Sequence, residues 1–244
     1  MPLFEETGAM TSPLSPTART QVRRSRERGL VDRRALFDLL ATGLVCHLGV
    51  VIDGAPRVLP TAYAVDQHGP DRGGTLYLHG SVAARSLLAS ADSELCVTVT
   101  IVDGLVLARS GFHHSMNYRS AVVMGRGRLV DDADERLHAL DLVVDHVVPG
   151  RAATMRAHTR KELAATMVVA LPLHEASVKA RTGGPIDEPS DVASGVWAGV
   201  LPLAVTAGDL LTDAEAAGVT PPEDVRRRAA VLRPNPAGGP PAAD

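Results

Sequence analysis

The stretch from Thr75 to Leu88 (TLYLHGSVAARSLL) places a histidine and an arginine where the backbone changes its periodicity. It begins like a β-strand and takes on helical spacing after Gly80, with Arg85 following His79 by six residues. The first N–H groups of a helix have no internal partner, and the helix dipole is positive there, so such a junction favours an anion. Which anion would bind at the junction depends on the rest of the sequence.

Several of the candidate residues also have an interpretation without chemistry. Arg85 could lie on the solvated face of a surface helix, His79 could be a core histidine with satisfied hydrogen bonds, and Tyr63 could serve packing alone. The adjacent His113 and His114 do not predict a metal site, because neighbouring strand residues face opposite ways and no carboxylate or cysteine stands at a useful spacing. We therefore expect no metal.

The composition is that of an ordinary globular protein. Of the 244 residues, 45% are hydrophobic and 22% charged, and the net charge of −3 gives no reason to expect a nucleic-acid partner. Seven arginines between residues 19 and 34 are interpreted as a solvated face near a surface helix.

The cysteines and the apolar runs bear on the cellular compartment. Cys46 and Cys96 both lie in apolar runs, which favours small core residues in a reducing compartment over a disulfide. No apolar run approaches the roughly 18 residues of a membrane span, and the first residues lack the hydrophobic segment of a signal peptide. We expect a cytoplasmic protein without a membrane partner.

Local signals predict the elements that would position the candidate residues. Asp32 has the features of an N-cap for a short helix from Arg33 to Ala41. Two β-rich runs between residues 44 and 66 are joined by a tight turn containing glycine, which predicts a hairpin, and Pro60 restricts its strand to an edge or a bulge. Periodicity predicts further strands over 75–78, 94–102, 118–130 and within 167–181, and helices over 82–90, over 133–148 and after a capping box at Thr159 and Glu162.

The pattern of elements favours one domain. Five or six strands with hairpin connections and few helices predict a mainly β fold with α-helices (α+β), an antiparallel barrel rather than a doubly wound sheet. Residues 1–18 mix Pro, Ser and Thr without periodicity and are expected to be a disordered lead-in. The domain would span residues 19–205, followed by a C-terminal extension, 206–244, whose last part has a disordered composition.

An ordered set of motifs resembles a known family. The set comprises R-x-x-P from Arg57, then Tyr63, L-Y-L-H-G-S followed by Arg85, N-Y-R-S-A-V-V-M-G-R-G, R-T-G-G-P-I-D and a late V-W-A-G-V-L-P-L. Over residues 18–203 this order is similar to the flavin-nucleotide-binding proteins of the pyridoxamine 5′-phosphate oxidase-like superfamily, in the branch that contains the 5-nitroimidazole resistance proteins. The resemblance implies a split β-barrel with peripheral helices that forms a homodimer and holds FMN at the dimer interface.

The same resemblance implies the residues of the site. His79 would be the catalytic residue, close to the flavin or the reduced substrate. The backbone near Val58 would lie along the edge of the isoalloxazine ring. One subunit would hold the cofactor through Arg57, Val58, Leu59, Pro60, Thr61, Leu78, His79, Gly80, Ser81 and Arg85, and the other through Asn117, Tyr118, Arg119 and Ser120.

The resemblance implies an FMN-dependent oxidoreductase that reduces a small organic acceptor, for example a nitroaromatic. Oxidation of pyridoxamine phosphate is not expected, because the sequence lacks a second set of basic residues for a second phosphate. One alternative is a protein of the same fold that binds haem or a flavin without turnover, with His79, His113 or His114 as the axial ligand. Another is a dimeric scaffold whose cleft stays empty.

Overall fold

A computed structural model, which describes residues 13–233, shows two β-sheets with helices at their periphery. The strands are β1 Gly29–Leu30, β2 Cys46–Ile52, β3 Ala55–Thr61, β4 Tyr63–Asp66, β5 Thr75–Ser81, β6 Glu94–Leu107, β7 Ser115–Arg126, β8 Arg128–Leu129, β9 Thr166–Pro172, β10 Ala176–Arg181 and β11 Gly199–Pro202. The α-helices are α1 Arg33–Thr42, α2 Arg85–Ser90, α3 Ala133–Val147, α4 Arg160–Ala165, α5 Pro189–Val192 and α6 Glu223–Leu232. The predicted α+β class is confirmed.

The larger sheet has the order β1-β10-β7-β6-β2-β3, with β11 paired to β6, and the smaller has the order β4-β5-β9-β8. The β2–β3 hairpin is antiparallel, as predicted, with His47 opposite Pro60. Strand β3 is at the edge of its sheet, which confirms the interpretation of Pro60: a proline cannot donate to a neighbouring strand, so an edge tolerates it.

The first of two compact units contains residues 13–101, 118–147 and 156–181. Its main core joins Leu36 and Leu40 of α1 to strand residues such as Leu48 and Leu171. Helix α1 begins where the sequence predicts, because the side chain of Asp32 accepts a 2.9 Å hydrogen bond from the N–H group of Arg34. The cysteines within the described chain are free, with Cys46 buried and Cys96 half-buried.

Strand β5 separates two apolar clusters, and this decides where its side chains lie. Leu76 and Leu78 belong to the main core, whereas Tyr77 belongs to a second cluster that includes Leu140 of α3. Alternate residues of a strand point to opposite faces. His79 therefore points to the side of β5 that α3 covers.

Helix α3 is held against the smaller sheet by polar contacts. Glu135 accepts hydrogen bonds from Tyr77 Oη at 3.1 Å and from Arg128 Nη2 at 2.7 Å. One turn later, His138 Nε2 lies 2.9 Å from a carboxylate oxygen of Asp66 in β4. These contacts fix the helix that covers His79.

The second unit contains the described residues 102–117, 148–155 and 182–233. Here β11 pairs with β6, Gly199 lying opposite Leu107. Arg109 donates to Asp187 from its backbone N–H at 3.0 Å and from Nη1 at 2.8 Å. Trp197 is exposed, so this side chain does not lie in the core of this chain.

Two features bear on the expected domain boundaries. Leu14 is buried, and its N–H donates to the carbonyl of Val31 at 2.9 Å, so packed residues begin before residue 19. Beyond residue 206, α6 buries Ala229. The expected disorder of the first twelve and the last eleven residues lies outside the described residues. Among residues 13–233, no helix has the length and apolar character needed to cross a membrane.

Candidate functional site

The junction between β5 and α2 is where the sequence predicts an anion site. Three of its backbone donors are already used: the N–H groups of Val82, Ala83 and Ala84 bond to Ala165 O, Ser81 Oγ and Ser81 O at 3.1, 3.2 and 2.9 Å. The helix that follows has only six residues, so its dipole is weak. Gly80 and Ser81 pair with β9 as part of the sheet. The side chains of the junction that can donate to a ligand are the hydroxyl of Ser81 and the guanidinium of Arg85.

Arg85 contacts the tip of the β2–β3 hairpin. Its Nη2 lies 2.5 Å from Oδ2 of Asp53, and both side chains are 72% exposed. Asp53 and Gly54 have φ angles of +52° and +75°, the left-handed conformation of a tight hairpin turn. The hairpin that carries Arg57 therefore ends beside Arg85.

The candidate residues of β3 divide between two faces. Arg57, Leu59 and Thr61 lie opposite buried residues of β2, so they share the inner face of the sheet. Val58 and Pro60 lie on the outer face, where Val58 is 68% exposed. The inner-face residues thus include the two polar side chains that the resemblance assigns to the cofactor, and the outer face offers an apolar edge.

The stretch Asn117–Ser120 lies in β7, and its residues are half-buried. Tyr118 is paired with Arg181 of β10, and the Ser120 hydroxyl donates to the carbonyl of Lys179 at 3.5 Å. A contact from this stretch to a cofactor on a second subunit stays a prediction.

His79 lines a cavity of about 190 Å³ between β5 and the helices that follow. Its buried Nδ1 has no hydrogen-bond partner among the described residues, and burial lowers the pKa of the imidazole. The imidazole is therefore neutral near pH 7. The other lining residues are Leu140, Val143, Val144, His158, Glu162 and Thr166.

Two other polar residues that line the cavity, His158 and Glu162, have partners of their own. His158 Nε2 lies 3.3 Å from Oδ1 of Asp141, and Glu162 pairs with Arg156 at 2.5 Å. Glu162 also completes the predicted capping box, accepting from the N–H of Thr159 at 2.8 Å. Arg156 and this N–H hold the pKa of Glu162 well below its usual range. His79 thus lines the cavity and has, in Nδ1, a buried nitrogen that lacks a partner.

Sequence reasoning found His79 but not the cavity, and the neighbours of His79 in β5 do not share it. Leu78 is fully buried in the main core, so only its backbone could contact a cofactor. Gly80 faces Leu87, whose Cδ1 would lie 2.8 Å from a Cβ at this position. The alternation of β5 therefore separates His79 from the residues on either side of it.

The adjacent histidines His113 and His114 each lie near a different neighbour. His113 Nε2 lies 4.0 Å from Glu188, and Nδ1 of His114 lies 2.8 Å from the carbonyl oxygen of Ser110. Across residues 13–233, no three side chains of the metal-binding types converge.

Comparison with known proteins identifies the family. Residues 32–180, more than half of the chain, match the family model described as pyridoxamine 5′-phosphate oxidase. The chain belongs to this family. The flavin-binding split β-barrel predicted from the ordered motifs is thereby confirmed as the fold of this family member. No curated protein matches the chain.

Solved structures of other family members extend the comparison. A flavocytochrome from Azotobacter vinelandii is 34% identical, with 88% of this chain and 98% of that chain covered and a TM-score of 0.79. An FAD and haem binding protein from Mycobacterium smegmatis is 38% identical, with 82% and 97% covered and a TM-score of 0.76. A Bacteroides thetaiotaomicron protein assigned to 5-nitroimidazole resistance is 21% identical, with 62% and 85% covered and a TM-score of 0.50, which supports the fold alone.

Proposed function

We propose that the protein is a flavin-dependent oxidoreductase that reduces a small organic acceptor. The observation that carries this proposal is the similarity, along most of both chains, to a flavocytochrome and to an FAD and haem binding protein. Oxidation of pyridoxamine phosphate is not proposed, because the sequence lacks a second set of basic residues for that substrate.

The residues at the end of β5 and in β3 have the chemistry to hold a flavin. The guanidinium of Arg85 retains free N–H donors beside its bond to Asp53, and the Ser81 hydroxyl can donate to a second phosphate oxygen. The exposed edge at Val58 suits the apolar part of the ring. When bound, the flavin would supply the electron transfer, while these residues would orient it.

The cavity at His79 suits a compact acceptor. Its volume of about 190 Å³ is close to that of an apolar cavity of about 150 Å³ that binds benzene in another protein, so one aromatic ring would fit. A neutral imidazole has one nitrogen that donates and one that accepts, and the ring of His79, which lines the cavity, could bond to a polar substituent of that aromatic ring. A nitroaromatic has the required size and polarity. In this proposal, His79 is the catalytic residue that positions the acceptor.

Haem binding is the second candidate, and one observation favours it. His79 has a ring nitrogen without a partner and lines the cavity together with Leu140, Val143 and Val144, and an imidazole has the chemistry of an axial ligand. The cavity is too small for a haem, because its volume of about 190 Å³ is below the roughly 300–1,000 Å³ of pockets for larger ligands. We therefore place no haem in this cavity as it stands.

One preparation tests both candidates. The absorption spectrum of the purified protein separates flavin bands from a Soret band, and mass spectrometry of the ligand released by denaturation identifies it. Reduction under anaerobic conditions with NAD(P)H or dithionite, followed by a nitroaromatic, measures reoxidation of the flavin. Flavin binding with reoxidation by the acceptor supports the proposal. A colourless protein that binds neither FMN nor FAD on titration contradicts it, and a Soret band without flavin favours the second candidate.

A further inference from the structure

We infer that Asp53 is a specificity residue that makes the corner at Arg85 suit the diphosphate of FAD better than the terminal phosphate of FMN. This inference rests on the proposed flavin binding. It goes further by assigning the choice between two flavins to one side chain, and it runs against the expectation of FMN drawn from the sequence.

The ion pair at this corner already balances the charge of the arginine. Nη2 of Arg85 lies 2.5 Å from Oδ2 of Asp53, within the range of a charge-assisted hydrogen bond. A phosphate that bonds to the remaining guanidinium donors therefore meets a carboxylate as its next neighbour. Because both side chains are 72% exposed, the repulsion is real but moderated by solvent.

The hairpin turn keeps the carboxylate in place. Asp53 and Gly54 both have positive φ, and the strands on either side are paired from Ile52 opposite Ala55 onwards. This is the turn geometry for which Asp-Gly and Asn-Gly are preferred. The backbone of Asp53 is consequently fixed at the hairpin tip, next to Arg85.

Three N–H groups of the junction do not compensate for this carboxylate. Those of Val82, Ala83 and Ala84, which could otherwise surround a phosphate, are bonded within the protein. A terminal phosphate carries about two negative charges near pH 7, because the second pKa of such a group is about 6. Each phosphate of FAD carries one ester bond, one anhydride bond and one negative charge, so Asp53 repels the nearer phosphate less.

A carboxylate also has a favourable role toward a dinucleotide. In dinucleotide-binding sites of other folds, an acidic side chain accepts a hydrogen bond from a ribose hydroxyl. The adenosine ribose, which FMN lacks, would bring such a hydroxyl to the diphosphate end of FAD. Asp53 would thus disfavour one flavin and contact the other.

The test compares two flavins on two proteins. Apoprotein of the wild type and of Asp53→Asn is titrated with FMN and with FAD, following flavin fluorescence. Asn-Gly suits the turn as well as Asp-Gly does, so the variant should keep its fold. Asp38→Asn, which removes an exposed carboxylate 3.8 Å from Arg34 in α1, is the matched control.

We expect Asp53→Asn to tighten FMN binding by about 3- to 10-fold without tightening FAD binding, and the gain to shrink at high salt. The control should leave both affinities unchanged. Equal changes for the two flavins, or no change, would overturn the role of Asp53. If neither flavin binds the wild type, the proposed function fails instead, so the two failures are distinguishable.

Discussion

Arg85 and His79 are six residues apart, yet their surroundings give them different roles. Arg85 is exposed and forms an ion pair with Asp53, whereas the Nδ1 of His79 is buried without a partner. An exposed guanidinium can bind a ligand phosphate through the N–H donors that its carboxylate partner leaves free. A buried imidazole stays neutral and gains most from a ligand that completes its hydrogen bonds.

Substitution of Arg85 should separate binding from folding. We expect Arg85→Ala to weaken flavin binding by about 10- to 100-fold, since a lost charge-assisted hydrogen bond costs about 1.5–3 kcal/mol. The free energy of unfolding should change by no more than about 1 kcal/mol, because the pair with Asp53 is exposed. Flavin titration and urea denaturation measure the two effects. Arg34→Ala, also exposed and paired, is the control; unchanged flavin affinity would remove Arg85 from the site.

The half-buried His79 should make stability depend on pH. Burial lowers its pKa in the folded state, while the unfolded chain has an ordinary value near 6.5. Below about pH 6.5 the unfolded state takes up the proton more readily, so the folded state loses stability as the pH falls towards the folded pKa. Urea denaturation from pH 7.5 to 5.5 should show a smaller loss for His79→Gln than for the wild type. The exposed His68→Gln serves as control, and parallel curves for all three proteins would contradict the prediction.

At the scale of elements, Gly127 separates β7 from β8 and links them to the end of α2. Its N–H donates to the carbonyl of Ser93 at 2.8 Å, and its own carbonyl accepts from Asp92 at 2.9 Å. A Cβ at this position would overlap the carbonyl oxygen of Ser90. The break between β7 and β8 thus depends on close backbone approach at this glycine.

We expect Gly127→Ala to lower the free energy of unfolding by about 1–3 kcal/mol, because backbone atoms on both sides must shift. Urea denaturation measures the change. At Gly111 a Cβ would meet no atom within 4 Å, so Gly111→Ala is the matched control. A Gly127 variant as stable as the control would show that this approach is not required.

At the scale of the whole molecule, the outer face of β2 and β3 indicates a partner. Val51 and Val58 lie on this face and are 59% and 68% exposed, and β3 is the edge of its sheet. Contiguous exposed apolar side chains are characteristic of interfaces. Because the resemblance implies a flavin site completed by a second subunit, we propose that a second copy of this chain covers this face.

Light scattering at micromolar concentration should report about twice the chain mass of 25.6 kDa. Val51→Asp, on the same face but outside the proposed flavin contacts, should shift the population towards the monomer and weaken flavin binding in parallel, because the shared site would lose its second subunit. Val31→Asp, at another exposed apolar position, is the control. A wild-type monomer that binds flavin fully would contradict the shared site.

The sequence by itself determined the features that depend on near neighbours. The Asp32 cap, the hairpin ending at Asp53 and the capping box of Thr159 and Glu162 are set by residues within a few positions of one another. Turns and caps of this kind satisfy backbone groups locally, so residue type and spacing suffice to predict them. The family was predictable for a related reason, since its motifs follow a fixed order along the chain.

Only the tertiary structure decided which atoms the candidate residues meet. The bond from Arg85 to Asp53 spans 32 positions, and the cavity joins His79 to residues of α3 and α4 far along the chain. The hydrogen bond from the Val82 N–H to the carbonyl of Ala165, which uses one donor of the junction, is likewise a contact between distant segments. Such contacts follow from how the helices pack on the sheets, and packing depends on the combined shape of many side chains rather than on local spacing.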